Sequence, residues 1–223
     1  MSPEQIKEVL RLHSIWIDNP TNLKGADLKG ADLKGANLKG ANLKGANLKG
    51  ANLKGANLQE ANLQVADLQG AYMPFANLQG ADLQGADLYR ADLQGADLYR
   101  ANLKEANLKE ANLEEANLEE ASLKKACLVE ACLQGSDLKE AYLQGANLQG
   151  ANLQEADLQG AYMSLANLQG VNLCGANMSG AYISNAKFTI ELHNSLKLHA
   201  AQYDASQFPF LALNINFLEA MRS

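Results

Sequence analysis

The chain has 223 residues and a mass of 23.9 kDa; 47% of it is hydrophobic, only 6% is aromatic, and the formal net charge is −6. The hydrophobic share is mostly Ala and Leu, which excludes the Val-, Ile- and Phe-rich core of a sandwich or a doubly wound sheet. No apolar run reaches the roughly 18 residues of a membrane span, and so small a net charge names no partner.

Residues 2–17 read as a capping helix. Ser2 suits the N-cap, Pro3 the first helical position, and Gln5 completes a capping box. Ile6, Val9, Leu10, His13, Trp16 and Ile17 share one face, and Pro20 ends the element. Glu4, Glu8 and Asp18 interrupt any long apolar stretch, so no secretory signal is expected. His13 and Trp16 have no carboxylate or second His beside them and read as packing residues.

From Thr21 to Ile190 the chain is 34 consecutive five-residue units without an insertion. Ala26-Asp27-Leu28-Lys29-Gly30 is a specimen. The central residue is Leu in 29 units; Met73, Met163, Met178, Ile183 and Phe188 fill the rest. Two places earlier Ala holds 31 units, the exceptions being Thr21, Ser136 and Val171. The residue between is Asn or Asp in 26, and all 18 glycines occupy the last place of a unit.

A period of five suits neither common element. On a helix successive Leu would drift by about 140° and form no stripe. On a continuous strand they would alternate faces. A turn once per unit resolves this. Ala and the central Leu, two apart in an extended segment, point to one side, and the turn brings the next Ala back to it. Gly tolerates the dihedrals of such a corner, and the Asn or Asp side chain can bond to the turn backbone.

Beyond Ile190 the pattern fails at Glu191-Leu192-His193 and partly returns at Ala201-Gln202-Tyr203 and Ser206-Gln207-Phe208. Residues 210–218 are the most apolar stretch and fit strand or helix equally. They are expected to cap the last unit or to form a dimer interface.

The unit resembles that of the pentapeptide-repeat family, Ala-(Asn/Asp)-Leu-x-x, over 170 of the 223 residues. The His-x-x-Trp segment at 13–16 is similar to stretches leading into bacterial members. The resemblance implies an all-β fold, a right-handed quadrilateral β-helix with four units per coil and about 8.5 coils. At roughly 4.8 Å per coil that rod is about 41 Å long. The expected organisation is a capping helix and linker over 1–20, the β-helix over 21–190, and a cap or dimerisation segment over 191–223.

With four units per coil, equivalent residues of every fourth unit stack. Tyr142, Tyr162 and Tyr182 then form a column, read either as a stabilising ladder or as an aromatic contact strip. Tyr72 and Phe75, with Met73 and Pro74 between them, stand on the opposite face as a second patch or a bulge. Charge is uneven. Residues 21–60 carry seven Lys against Asp27, Asp32 and Glu60, a net +4. Residues 61–100 carry −3, and residues 101–120 carry −4 through Glu105, Glu110, Glu114, Glu115, Glu119 and Glu120 against two Lys.

Nothing in the pattern supports catalysis, a cofactor or a metal. Only three His occur, and the acids sit on a convex surface with no pocket to shift a pKa. The glycines mark corners and form no phosphate loop. Cys127, Cys132 and Cys174 are expected as free thiols in a reducing, cytoplasmic setting. Lysines on every side make no directed groove, so direct nucleic-acid binding is not expected. The function expected is a rigid protein-interaction or structural module, monomeric or dimeric through the C-terminal segment. The alternative, suggested by the resemblance, is a DNA-mimicking binder of DNA gyrase or another type II topoisomerase.

Overall fold

The computed structural model describes residues 2–18, with side chains as far as residue 12, and residues 26–187. The segment expected to cap or dimerise, 191–223, and the side chains of His13 and Trp16 lie outside the described residues.

Helix α1 spans Pro3–Asp18. Its first turn is closed by the capping box read from Ser2 and Gln5. The Gln5 amide donates to Ser2 Oγ at 3.2 Å, and the Ser2 amide donates to Gln5 Oε1 at 2.7 Å. Ile6, Val9 and Leu10 are half-buried and pack against the repeat core.

The repeat region is a solenoid with a strict register. The residue before each central Leu forms a parallel bridge with its equivalent four units on, from Asp27 with Asn47 to Asn167 with Lys187. Four units therefore complete a coil, and the rod has four faces. Face 1 carries Leu43, Leu63 and their successors, one on each coil. Face 2 carries Leu48 and Leu68, face 3 Leu53 and Met73, and face 4 Leu58 and Leu78.

Backbone bonding within one unit shows how each corner works. The Ala31 amide donates to the Leu28 carbonyl at 2.9 Å, closing a four-residue turn. The turn's third residue, Gly30, has φ 62°, as in a type II turn. Two further amides of the unit, Leu28 and Gly30, donate up to Asn47 and Lys49 of the next coil at 2.7 and 2.9 Å. The Asp27 carboxylate accepts from the Lys29 amide at 3.3 Å and from Asn47 Nδ2 at 2.9 Å. One side chain thus braces its own corner and ties two coils together. This explains why Asn and Asp dominate that position.

The corners are not reserved for glycine. Fifteen described non-glycine residues have positive φ, among them Val65, Phe75, Arg90, Glu115 and Leu165. The turn imposes the left-handed conformation, and these side chains bear its cost, about 1 kcal/mol each.

Inside, Ala and the central residue of each unit fill the bore. From Ala46 to Leu168 nearly every one is at most 1% exposed. Ser136 replaces an inward Ala and satisfies its hydroxyl on the Leu133 carbonyl at 2.7 Å. The bore is therefore filled from Ala46 to Leu168, and over those coils chemistry is confined to the outside. Among the described residues no helix is long and apolar enough to cross a membrane.

Candidate functional site

The aromatic column occupies face 1. The rings of Tyr142 and Tyr162 lie 5.1 Å apart between centroids at 6°, and those of Tyr162 and Tyr182 5.0 Å apart at 3°. Parallel bridges between coils hold the three backbones in line, so the stack costs little further ordering. Lys124 Nζ, from the coil below, sits 4.9 Å from the Tyr142 ring centroid and closes that end of the column as a cation–π contact. The exposed Leu165, at the corner after Tyr162, adds an apolar knob at the edge of the same face. Because the rings stack face to face, the column presents ring edges and hydroxyls outward along its length.

Tyr72 and Phe75 lie on face 3, opposite the column. The register runs through them unbroken, with Asn52 paired to Tyr72 and Tyr72 to Asp92. The bulge considered for this segment is therefore not formed. Pro74 is buried, while Tyr72 and Phe75 are exposed. The Phe75 ring is laid over Gly95 of the next coil, with ring atoms 2.7 and 2.8 Å from where a Cβ would stand.

The six glutamates encircle the rod and do not gather into one patch. Glu105, Glu110, Glu115 and Glu120 occupy the four successive corners of one coil, and Glu114 and Glu119 lie on faces 3 and 4. Two of them are neutralised by arginines one coil below. Arg90 Nε donates to Glu110 Oε2 at 2.6 Å, and Arg100 Nε to Glu120 Oε2 at 2.7 Å. Each arginine also lies over the tyrosine preceding it, 4.9 Å above Tyr89 and 4.8 Å above Tyr99. The hydroxyl of Tyr99 donates to Glu120 at 3.2 Å. These bonds from Arg90 and Arg100 hold the Glu110 and Glu120 carboxyls below their ordinary range. Partial desolvation, then the bond to Glu120, pushes the Tyr99 phenol up. Sequence reading missed both clusters. Their signal was present: Arg90 and Glu110, like Arg100 and Glu120, are separated by one full coil of four units.

A third cluster was also missed. Lys139 Nζ lies 2.8 Å from Asp137 and 3.3 Å from Asp157, and these bonds, the Asp137 one first, raise its pKa. Cys127 and Cys132 are half-buried, Cys174 is exposed, and all three are unpaired. Among the described residues no group of side chains is arranged to hold a metal ion. One depression, lined by Val129, Glu130, Gln149, Gly150, Gln169 and Gly170, is shallow and open. It contains no nucleophile and no base beyond the exposed Glu130. The described surface thus offers contact areas and charge, with no enclosed cleft in which a pKa could be tuned for catalysis.

Comparison with known proteins agrees with this geometry. The family model for pentapeptide repeats matches in 8 copies, over residues 21–59, 56–95, 66–104, 101–139, 136–173 and 151–189. Among solved structures, HetL is 30% identical over 77% of this chain and 94% of its own, with a TM-score of 0.39. It is a pentapeptide repeat protein involved in heterocyst differentiation regulation from the cyanobacterium Nostoc sp. strain PCC 7120. A trypsin-treated form of QnrB1, a plasmid-mediated fluoroquinolone resistance protein, is 22% identical over 73% of this chain and 82% of its own, with a TM-score of 0.51. Rfr23, a pentapeptide repeat protein from the cyanobacterium Cyanothece 51142, is 40% identical over 46% of this chain and 64% of its own, with a TM-score of 0.31. No curated protein matches the chain.

Proposed function

The chain belongs to the pentapeptide-repeat family of right-handed β-helix solenoids, and from that premise we propose that it is a non-enzymatic, rigid interaction module. One observation carries the reading: the bore is filled by Ala and Leu over the described coils, which leaves only the outer faces to act. On this reading α1 and the segment 191–223 cap a β-helix spanning 21–190, of about 8.5 coils, and the protein works in the cytoplasm. The contact surfaces are the column of Tyr142, Tyr162 and Tyr182 with Leu165 beside it, the Tyr72 and Phe75 patch, and the glutamate belt. Rigid aromatic area of this kind favours protein contacts because little side-chain entropy is lost on binding. The test is capture from a lysate of the native host on immobilised wild type and on a Tyr142→Asn, Tyr162→Asn, Tyr182→Asn variant. A protein retained by the first and lost from the second supports the reading; equal retention removes the column as a contact surface.

A second reading draws on the acidic zone and on the fluoroquinolone resistance ascribed to QnrB1: a DNA mimic that binds gyrase. Residues 61–120 carry −7 over three coils, about 14 Å, where duplex DNA of that length carries about 8 negative charges. Against it stand the arginine pairs on Glu110 and Glu120 and the lysines of residues 21–60, which would repel a DNA-binding saddle. A gyrase supercoiling assay decides. Inhibition or protection at micromolar protein supports mimicry, and no effect excludes it.

A further inference from the structure

We propose that face 3 is a docking surface for a second copy of this chain, set antiparallel across a two-fold axis at the height of Tyr72–Phe75. This goes beyond the function above and does not depend on it. Charges are ordered up the face. At the place after each central residue, successive coils present Lys34, Lys54, Pro74, Gln94 and Glu114. The sign changes across Pro74, and the ends are equidistant from it. At the corner, Gly35, Gly55, Phe75, Gly95 and Glu115 follow the same order. Faces 1 and 2 bear Lys104 and Lys109 near the height of Glu114 and lack the change of sign.

A two-fold axis that crosses the rod in the plane of contact reverses height and keeps lateral position. It brings Lys34 opposite Glu114 of the second copy and Lys54 opposite its Gln94, and repeats both contacts by symmetry, as an isologous interface requires. Lys34 is exposed, and among the described residues neither it nor Glu114 or Glu115 forms an ion pair within the chain. The same operation sets Lys39 near Glu119 at the rim on face 4.

The centre is apolar and complementary in shape to itself. Tyr72 is 43% exposed and Phe75 60%. The Phe75 ring leans up over Gly95, whereas nothing lies within 4 Å of the Cβ position at Gly55, one coil below Phe75. The axis places Gly55 of the second copy opposite Gly95, so each ring fills the notch left at the other copy's Gly55. An apolar centre flanked by opposite charges is the usual anatomy of a protein interface. The contact spans four coils, about 19 Å. It falls in the small size class, so the dimer should be weak and sensitive to concentration and salt.

Sedimentation of the full chain across about 10–500 µM tests this. Wild type should shift from monomer towards dimer with concentration in low salt, and less so in about 0.5 M salt. Lys34→Glu alone and Glu114→Lys alone each put like charges together twice and should weaken association about tenfold. Mixing the two single variants should restore it, because in the mixed dimer one copy carries Glu and the other Lys at both positions, so both contacts pair Glu with Lys and the repulsion of the homodimers is relieved. Phe75→Gly, which relaxes its corner and so should fold, should also weaken it. Circular dichroism confirms that each variant is folded. A wild type that stays monomeric throughout overturns the proposal. So does a dimer indifferent to Lys34→Glu, as one joined through the C-terminal segment would be, or a mixture that does not recover.

Discussion

Arg90 and Glu110 occupy the same corner on successive coils, and the guanidinium Nε meets the carboxylate at 2.6 Å. Arg100 and Glu120 repeat the arrangement two corners on. In each pair the carboxyl is held below its ordinary range, so its folded pKa lies beneath its unfolded one. The stabilisation is therefore present at neutral pH and is lost as pH falls from the ordinary carboxylate value, about 4.3, through the folded value. An Arg90→Gln, Arg100→Gln variant should be less stable than wild type at pH 7, by a small margin because both pairs are exposed and screened. The margin should close at pH values below both carboxyl pKa values. Urea melts at pH 7 and at successively lower pH measure it, and a margin that widens in acid would contradict the assignment.

Tyr162 stacks on both Tyr142 and Tyr182. Tyr162→Asn breaks both contacts and restores no Asn ladder, because both neighbours in the column are tyrosines. The expected loss is about 1–2 kcal/mol, read from the shift in denaturant midpoint. Unchanged stability would mean that the column contributes nothing to the fold and leave contact as its sole use.

Gly50 has φ 64° and open space where a Cβ would stand. Gly50→Ala should cost about 1 kcal/mol from backbone strain alone. Gly95→Ala, at φ 60°, should cost more because its Cβ meets the Phe75 ring. In a Phe75→Gly background the excess at Gly95 should vanish. A double-mutant cycle by chemical denaturation reads the coupling, and additive effects would place the ring elsewhere.

Leu108 is fully buried. Leu108→Ala should cost about 3–5 kcal/mol, because the coil backbone is held from above and below and cannot collapse into the void. The effect should be local. Hydrogen exchange should accelerate most in the coils next to residue 108 and least near Leu48 and Leu158, as expected where each repeat contacts only its neighbours. A uniform acceleration would indicate that the rod opens as one unit.

Much of this architecture was readable from the chain. The inward Ala and Leu follow from a period that neither helix nor strand can satisfy. The column at 142, 162 and 182 follows once a coil is taken as four units. The Ser2 and Gln5 capping box was legible because it is local, closed within a single helical turn. Two things were hidden. The left-handed corners at Glu115 or Arg90 are imposed by coil stacking, against the preference of those residues. The arginine pairs at Glu110 and Glu120 involve residues unremarkable in their own units. They acquire meaning only when charges are compared one coil apart, and that comparison leaves four of the six belt carboxylates without an arginine.

With its bore filled, this rod is left to act through its outer faces. Quantitative capture from the native host on four baits tests it most directly: wild type, the triple tyrosine variant, a Glu105, Glu114, Glu115 and Glu119 to Gln variant, and the core variant Leu108→Met. At least one protein should be enriched on wild type, be kept by the core variant, and be lost from one of the two surface variants. The same proteins in the same amounts on all four baits would contradict the claim.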